Sequence, residues 1–199
     1  LALVGGVLAA FVTSRGDGET SSGNSGATAS EDGGITAAQR RQRLQDAIAA
    51  EPDALASRLL LARYLEADGD LEAALRQYDE ILARNPQSAE AQAQAGRILY
   101  ITAQAAVQRD PGSVDGLVQQ SMTRLDRAVE IDGSYPDARF FRAIVEANEY
   151  GDFARAQGDL QRYLLLAPEG QFAGQARELL AQVTSALEGS PVETPTTQP

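Results

Sequence analysis

The sequence predicts an all-α fold built from repeated helical hairpins, and three observations support this prediction. Pro52 and Pro86 stand 34 residues apart, a spacing typical of helical repeats. The apolar residues of the segment 71–84 recur on one face of a helix, at Leu71, Leu75, Tyr78, Ile81 and Leu82. No segment of the predicted folded part alternates apolar and polar residues over a useful length, so we expect no strands.

The predicted array begins with a capping helix over 36–50. Thr36 and Gln39 have the spacing of a capping box, in which each side chain bonds the backbone N–H of the other residue. A helix is therefore expected to begin directly after Thr36.

A regular hairpin is predicted next, over 53–85. Ala62 and Ala74 are small residues at positions where two helices would cross closely, and larger apolar residues fill the rest of the seam. Gly69 lies between the two helices, in the predicted turn.

The second hairpin, over 87–132, is longer than the first. The next turn, at Gly133, lies 47 residues after Pro86, which exceeds the usual period by roughly a dozen residues. We interpret the excess as an insertion between the two helices, centred on the segment 110–112.

The third hairpin is predicted over 136–168, followed by a last helix over 169–187. Gly133 and Pro168 are 35 residues apart, one more than the period, so two registers of the first helix stay open. We place Phe140 at the leading aromatic position of the repeat. The last helix is expected to cover the open end of the array, as terminal units do when they have no neighbour.

The first hairpin resembles a tetratricopeptide repeat (TPR) because it reads Arg58-x2-Leu61-Ala62-x2-Leu65, then Ala74-x3-Tyr78, then Pro86. Arg58 stands where a Trp is usual in that family. The resemblance implies a right-handed α-solenoid of about three hairpin repeats plus capping helices. It also implies a non-enzymatic role, in which the first helices of the repeats form a concave face that binds a protein or peptide.

The chain opens on an uninterrupted apolar run, residues 1–12. It begins without a Met, so we expect that the apolar stretch started earlier in a longer protein. Twelve residues are fewer than the about 20 that span a bilayer. Three interpretations stay open: the C-terminal part of a membrane anchor, which we favour, the apolar core of a signal peptide, and a soluble apolar start.

The two flanks of the predicted TPR domain, 35–187, differ from it in composition. Residues 13–34 are rich in Gly and Ser with several acidic residues, which predicts a flexible linker. The tail, 188–199, carries three prolines and is predicted to be disordered. Arg15 is the only basic residue after the apolar run before residue 40, so the positive-inside rule favours an extracytoplasmic domain.

The composition excludes most enzyme classes. The chain has no Cys and no His, and all 17 of its basic residues are Arg, so the usual bases, nucleophiles and soft metal ligands are missing. We therefore predict no catalytic residue, no metal site and no cofactor. A net charge of -11 disfavours nucleic acid as a partner.

The predicted concave face takes its residues from the first helix of each repeat. They are Leu59, Arg63 and Glu66 from the first repeat, Arg97, Tyr100 and Ile101 from the second, and Phe141, Val145, Asn148 and Glu149 from the third. This set suits an amphipathic peptide helix that carries apolar side chains and a carboxylate. The alternative is that the aromatic residues belong to the core and that Arg63 pairs with Glu66.

A closer resemblance links residues of about 40–185 to the TPR part of bacterial cytochrome c biogenesis proteins of the CcmI/NrfG type. It is carried by the segments 60–70, 97–100, 125–132 and 135–142. The resemblance implies a membrane-anchored, extracytoplasmic chaperone that binds apocytochrome c through its C-terminal helix and presents it to the haem-attachment machinery. The alternative is a structural scaffold of another membrane or envelope complex, with contacts through the convex face or the 108–113 insertion.

Overall fold

A computed structural model describes residues 36–189, and this part of the chain folds into eight α-helices without a strand, which confirms the all-α prediction. The helices are α1 Ala37–Ala50, α2 Leu55–Ala67, α3 Leu71–Arg84, α4 Ala89–Ala106, α5 Pro111–Ile131, α6 Pro136–Val145, α7 Phe153–Leu166 and α8 Ala173–Gly189. A π-helical segment, Glu146–Tyr150, directly continues α6. The predicted anchor 1–12, the linker 13–34 and residues 190–199 of the tail lie outside the described residues.

The helices pack as successive hairpins, α2 with α3, α4 with α5 and α6 with α7, so that the fold is a TPR-like α-solenoid. Helix α1 packs on α2, and α8 packs on α7. Helix α4 lies in the middle and contributes to two apolar cores. Its Ile98 joins a core with α2 and α3, whereas its Tyr100 joins the core of the later helices.

Side-chain caps fix where several helices begin. The capping box at the start of α1 is confirmed, because Thr36 Oγ1 accepts from the Gln39 N–H at 3.2 Å and Gln39 Oε1 accepts from the Thr36 N–H at 2.8 Å. Asp70, Ser88 and Asp152 cap α3, α4 and α7. The side chain of each accepts a hydrogen bond from one backbone N–H of the first turn. Such a cap stabilises a helix by about 1 kcal/mol.

The extra residues of the second hairpin lengthen both of its helices. Helices α4 and α5 have 18 and 21 residues, against 13 and 14 in α2 and α3. The predicted insertion between the helices is therefore reduced to a short turn, residues 107–110. The two helices approach closely at Gly96, whose carbonyl accepts from Ser121 Oγ at 2.8 Å. A Cβ on Gly96 would lie 2.8 Å from Leu125 Cγ, so the crossing requires a glycine.

The register of the third hairpin follows from two equivalent arginines. Arg58 Nη2 donates to the Pro52 carbonyl at 3.0 Å, and Arg139 Nε donates to the Gly133 carbonyl at 3.0 Å, each across six residues. Arg139 therefore occupies the position of Arg58, and the prediction that placed Phe140 there is wrong by one residue.

The π-helical segment accommodates the one extra residue of the third hairpin. A π turn holds about one residue more than an α turn, so the extra residue fits into the helix after Val145. The helix ends at Gly151, whose φ of +62° matches the φ of +81° at Gly69 after α2. Both turns use the left-handed conformation that glycine adopts without strain.

Helix α8 begins at Ala173, four residues later than the predicted start at 169. The chain first turns beneath Tyr163, whose hydroxyl accepts from the Phe172 N–H at 3.0 Å. Gly170 passes so close that a Cβ there would lie 2.6 Å from the same hydroxyl. Phe172 then stacks on Phe140 with 4.8 Å between the ring centroids, so the end of the array is covered.

Within residues 36–189, no helix combines the length and the apolar character needed to cross a bilayer.

Candidate functional site

The first helices of the three hairpins, α2, α4 and α6, are joined by side chains that cross from one repeat to the next. We use the term inner face for the surface of these helices that carries Arg63, Arg97 and Glu149. Arg63 of α2 forms an ion pair with Glu90 of α4, and Glu66 of α2 forms one with Arg97 of α4. The partners are separated by 27 and 31 residues, so each pair fixes the position of one repeat against the next.

Arg97 is the centre of the inner face. Besides its pair with Glu66, its guanidinium lies over the ring of Phe141 in α6, with 5.6 Å from Cζ to the centroid. Glu66 also accepts from the Tyr78 hydroxyl at 2.6 Å. Burial, together with the neighbouring carboxylate, raises the pKa of Tyr78. The hydroxyl therefore keeps its proton and its hydrogen bond throughout the physiological range.

A second group of contacts joins α4 to the π-helical segment. The Tyr100 hydroxyl donates to Glu149 Oε1 at 2.8 Å and accepts from Asn148 Nδ2 at 3.2 Å. Gln104 Nε2 donates to the same Glu149 oxygen at 2.7 Å. Burial raises the pKa of Tyr100, so its hydroxyl stays a donor. Glu149 is exposed, and its carboxylate is oriented by two donors of the neighbouring repeat.

The acidic groups of the inner face outnumber its basic groups. Arg63 and Arg97 are each paired with a carboxylate, whereas no basic side chain contacts Glu149 or Asp137 among the described residues. Asp137 lies at the start of α6, and in the described part of the chain its side chain accepts only from Gln171 Nε2, at 3.3 Å. Partial burial raises the pKa of the Asp137 carboxyl, and the opposing effect of Arg97, which does not contact it, is smaller.

Behind the inner face, α6 is joined to α5 and α7 by a buried ion cluster. Arg142 forms two hydrogen bonds to Asp159, at 2.6 and 3.0 Å, and a third to Asp126 at 3.0 Å. Arg139 also donates to Asp159, at 2.8 Å, and Arg155 donates to Asp126 at 2.6 Å. The cluster ties the third hairpin to the second through directed bonds.

Glu146 is the fully buried member of this cluster, at 0% exposure. Arg155 Nε lies 2.8 Å from Glu146 Oε1 and Arg142 Nε lies 3.4 Å away, but no N–H of residues 36–189 is directed at either carboxylate oxygen. The pairs are therefore weaker than their distances suggest. Burial and the nearby Asp159 carboxylate raise the pKa of Glu146 to about 7.

The structure brings several of the residues predicted for the concave face into contact with one another. Glu66 meets Arg97, and Tyr100 meets both Asn148 and Glu149. Arg97 also meets Phe141. The suggested pair of Arg63 with Glu66 is wrong, because Arg63 pairs with Glu90.

Three of the predicted residues cannot line an open surface. Tyr100, Phe141 and Val145 are exposed by only 3%, 2% and 0%, so they support the inner face from beneath. Leu59 and Ile101 are half-buried and remain candidates for contact with a ligand.

The sequence-based reasoning missed Glu90, Gln104 and Asp137. Their partners belong to a neighbouring repeat or to the turn before α8, so no local spacing shows the contact. Glu90 and Asp137 stand in the first turns of α4 and α6, where an acidic residue is also expected from the helix dipole alone. An acidic residue at such a position therefore gives no sign in the sequence that it lies on the inner face.

Comparisons with known proteins agree with the geometry. The model of the tetratricopeptide repeat family TPR_14 matches residues 55–98, which cover α2, α3 and the first half of α4. No curated protein sequence matches the chain.

Several solved structures are similar in fold. A thermophilic TPR protein of Thermus thermophilus, TTC0263, is 19% identical with a TM-score of 0.60, over 76% of this chain and 74% of that one. The first TPR domain of Spaghetti (RPAP3), solved with the HSP90 peptide SRMEEVD, is 15% identical with a TM-score of 0.55, over 67% and 95%. MamA is 17% identical with a TM-score of 0.52, over 76% and 85%. Residues 36–189 therefore have the fold of a tetratricopeptide repeat protein.

Proposed function

We propose that this chain is a non-enzymatic interaction module that binds a segment of another polypeptide on its inner face. The observation that carries the proposal is the set of side-chain contacts that joins α2, α4 and α6 across that face. A surface held by its own ion pairs and hydrogen bonds loses little conformational freedom on binding, which favours affinity. The TPR domain of Spaghetti (RPAP3) and the TPR2B domain of yeast Sti1 were both solved with peptides, which supports this use of the fold.

The more specific proposal is that the ligand is apocytochrome c during cytochrome c maturation. Its support is the resemblance of residues 40–185 to biogenesis proteins of the CcmI/NrfG type. In this proposal the apolar residues 1–12 anchor the chain in a membrane, and residues 13–34 tether the TPR domain on the extracytoplasmic side. The C-terminal helix of the apocytochrome then lies on the inner face before the haem-attachment machinery receives it.

Binding of apocytochrome peptides to the full chain tests the proposal. The chain has no Trp, so a Trp placed in the peptide reports binding by fluorescence without background. We expect Ile101→Ser, on the inner face, to weaken binding by about tenfold, since one buried apolar contact is worth about 1.5 kcal/mol or more. Leu165→Ser is the matched control, because Leu165 is 70% exposed on α7.

Two outcomes contradict different parts of this proposal. Equal affinity for a scrambled peptide would reject apocytochrome c as the ligand. Binding that is lost in Leu165→Ser and kept in Ile101→Ser would reject the inner face as the site.

A second candidate function is a scaffold within a membrane or envelope complex, and the length of the second hairpin favours it. Helices α4 and α5 are longer than the helices of the first hairpin, and Val107 at the turn between them is 41% exposed. An apolar residue at the tip of a long hairpin suits contact with a fixed neighbour. Crosslinks from partner proteins to residues 108–113, with none to the inner face, would favour the scaffold.

A further inference from the structure

The inner face has arginines, but its own acidic residues already neutralise them. Arg63 is held by Glu90, and Arg97 is held by Glu66 while it covers the Phe141 ring. The Arg97 side chain is only 16% exposed. A carboxylate on a ligand would have to displace an existing carboxylate to reach Arg97, and the displaced group would lose its partner. Arg63 is 58% exposed, so an acidic ligand gains at most one solvent-screened ion pair there, which contributes little.

The unmatched charges on the inner face are negative. Both hydrogen bonds to Glu149 are accepted by Oε1, from Tyr100 and Gln104, so Oε2 accepts none from the described residues. An ionised carboxylate has about four acceptor sites, and Glu149 is exposed. The two donors fix the orientation of the carboxylate and leave its second oxygen for a ligand.

Asp137 repeats this arrangement near the other end of α6. Its Oδ2 accepts from Gln171, and its Oδ1 has no partner among the described residues. The raised pKa of Asp137, caused first by burial, means that a ligand cation placed there would stabilise the charged form. Asp137 and Glu149 are twelve residues apart, so the α-helical rise places their Cα atoms roughly 18 Å apart along the helix axis.

We propose that the polypeptide bound on the inner face is cationic, an amphipathic helical segment whose Lys or Arg side chains reach Asp137 and Glu149. This inference rests on the proposed function, because it names the chemistry of the ligand for the same face. Half-buried Leu59 and Ile101 take the apolar side of the segment, and the two carboxylates fix its position by charge. The chain therefore differs from the TPR domain of Spaghetti (RPAP3), whose bound peptide SRMEEVD carries three carboxylate side chains.

Three synthetic peptides test the charge of the ligand. They share one amphipathic helix with Leu and a single Trp on the apolar face, blocked ends, and either Lys, Gln or Glu on the polar face. We expect the full chain at physiological salt to bind the Lys peptide about fivefold more tightly than the Gln peptide, the effect of two partly exposed ion pairs. The Glu peptide is expected to bind more weakly than either.

A matched pair of double variants separates the inner face from the net charge of -11, which attracts any cation. Asp137→Asn with Glu149→Gln should reduce affinity for the Lys peptide about fivefold and leave affinity for the Gln peptide unchanged. Asp115→Asn with Glu178→Gln removes the same charge from exposed positions on α5 and α8. This control should reduce affinity for the Lys peptide less than twofold.

The results distinguish this inference from the proposed function. The cationic ligand is rejected if the Glu peptide binds as tightly as the Lys peptide, or if both double variants lose affinity equally. Either result leaves the inner face supported as the binding site. If none of the three peptides binds, the inner face is rejected as a site for helical segments, and the inference fails with it.

Discussion

Replacement of Glu146 by Gln is predicted to stabilise the protein at alkaline pH and to leave it nearly unchanged in mild acid. Glu146 is completely buried beside Arg142, Arg155 and Asp159, with no N–H directed at its carboxylate. Glutamine has the same shape as the protonated carboxyl group but never carries the charge. The variant therefore imitates the folded protein below the pKa of Glu146.

The magnitude follows from the pKa of Glu146, which is about 7 in the folded chain against an ordinary value of 4.5. Because the folded form binds this proton more tightly than the unfolded chain, the free energy of unfolding falls as the pH rises from 4.5 to 7. Between pH 5 and pH 8 the loss amounts to about 2 to 3 kcal/mol. Glu146→Gln removes that loss, so its advantage over the original protein should grow by this amount.

Burial is the largest cause of the raised pKa of Glu146, and the charged groups around it act in both directions. Arg142 of α6 and Arg155 of α7 lie against Glu146 and lower its pKa, whereas Asp159 of α7 raises it. Asp126 of α5 pairs with both of these arginines, and Arg139 of α6 pairs with Asp159. Asp152, at the start of α7, also raises the pKa of Glu146. Within residues 36–189, the carboxylate of this group that lacks a directed hydrogen bond is also the one whose pKa is raised into the neutral range.

Urea unfolding followed by circular dichroism at pH 5 and pH 8 measures the effect. Glu178→Gln, at an exposed position on α8, is the control and should shift both values by less than about 0.5 kcal/mol. A Glu146→Gln variant that is less stable than the original protein at pH 8 would contradict the predicted stabilisation. It would mean that Glu146 is ionised at neutral pH and that its pairs with Arg142 and Arg155 are net stabilising.

Three further substitutions test the packing. Gly96→Ala should destabilise the protein by about 1 to 3 kcal/mol, because its Cβ would lie 2.8 Å from Leu125 Cγ. Gly158→Ala is the control, because nothing lies within 4 Å of an added Cβ at this helical position, and it should stabilise the protein by up to about 1 kcal/mol. Equal unfolding midpoints in urea for Gly96→Ala and Gly158→Ala would contradict the close crossing of α4 and α5. Tyr163→Phe removes the acceptor of the Phe172 N–H and should cost about 1 to 2 kcal/mol, seen as faster hydrogen exchange at that amide, whereas unchanged exchange would mean the bond contributes little.

Local patterns in the sequence were sufficient to predict the helices and the repeat. The capping box at Thr36 and the turn at Gly69 depend on residues within a few positions of each other, and the structure has both. The start of α8 was missed because it depends on a contact with Tyr163 in the preceding helix. The spacing of prolines alone could not show that contact.

The extra residues of the second and third hairpins show where prediction from sequence ends. The repeat period predicts the number of extra residues in each hairpin, but where they are placed depends on how the helices pack. In the second hairpin they extend two helices that pack closely at Gly96 and Ser121. In the third, one residue is absorbed by the π-helical segment, which keeps Arg139 equivalent to Arg58.

The inner face could be predicted only in outline. Helical spacing placed Glu66, Arg97 and Glu149 among its residues, and the structure gives each of them a contact between repeats. Their partners could not all be predicted, because Arg63 has a local candidate in Glu66 but pairs with Glu90 on the next repeat. Because the arginines are paired across repeats, we propose a cationic ligand in place of the carboxylate-bearing one that the arginines alone suggested.

Photo-crosslinking from the bound peptide tests the central claim most directly. A photoreactive group replaces one Leu on the apolar side of the tightest-binding of the three peptides, and the crosslinked residues of the full chain are mapped by mass spectrometry. We expect crosslinks to α2, α4 and α6, with Leu59 and Ile101 among the crosslinked residues. Crosslinks confined to α3, α5 and α7, or to the turn 107–110, would contradict it.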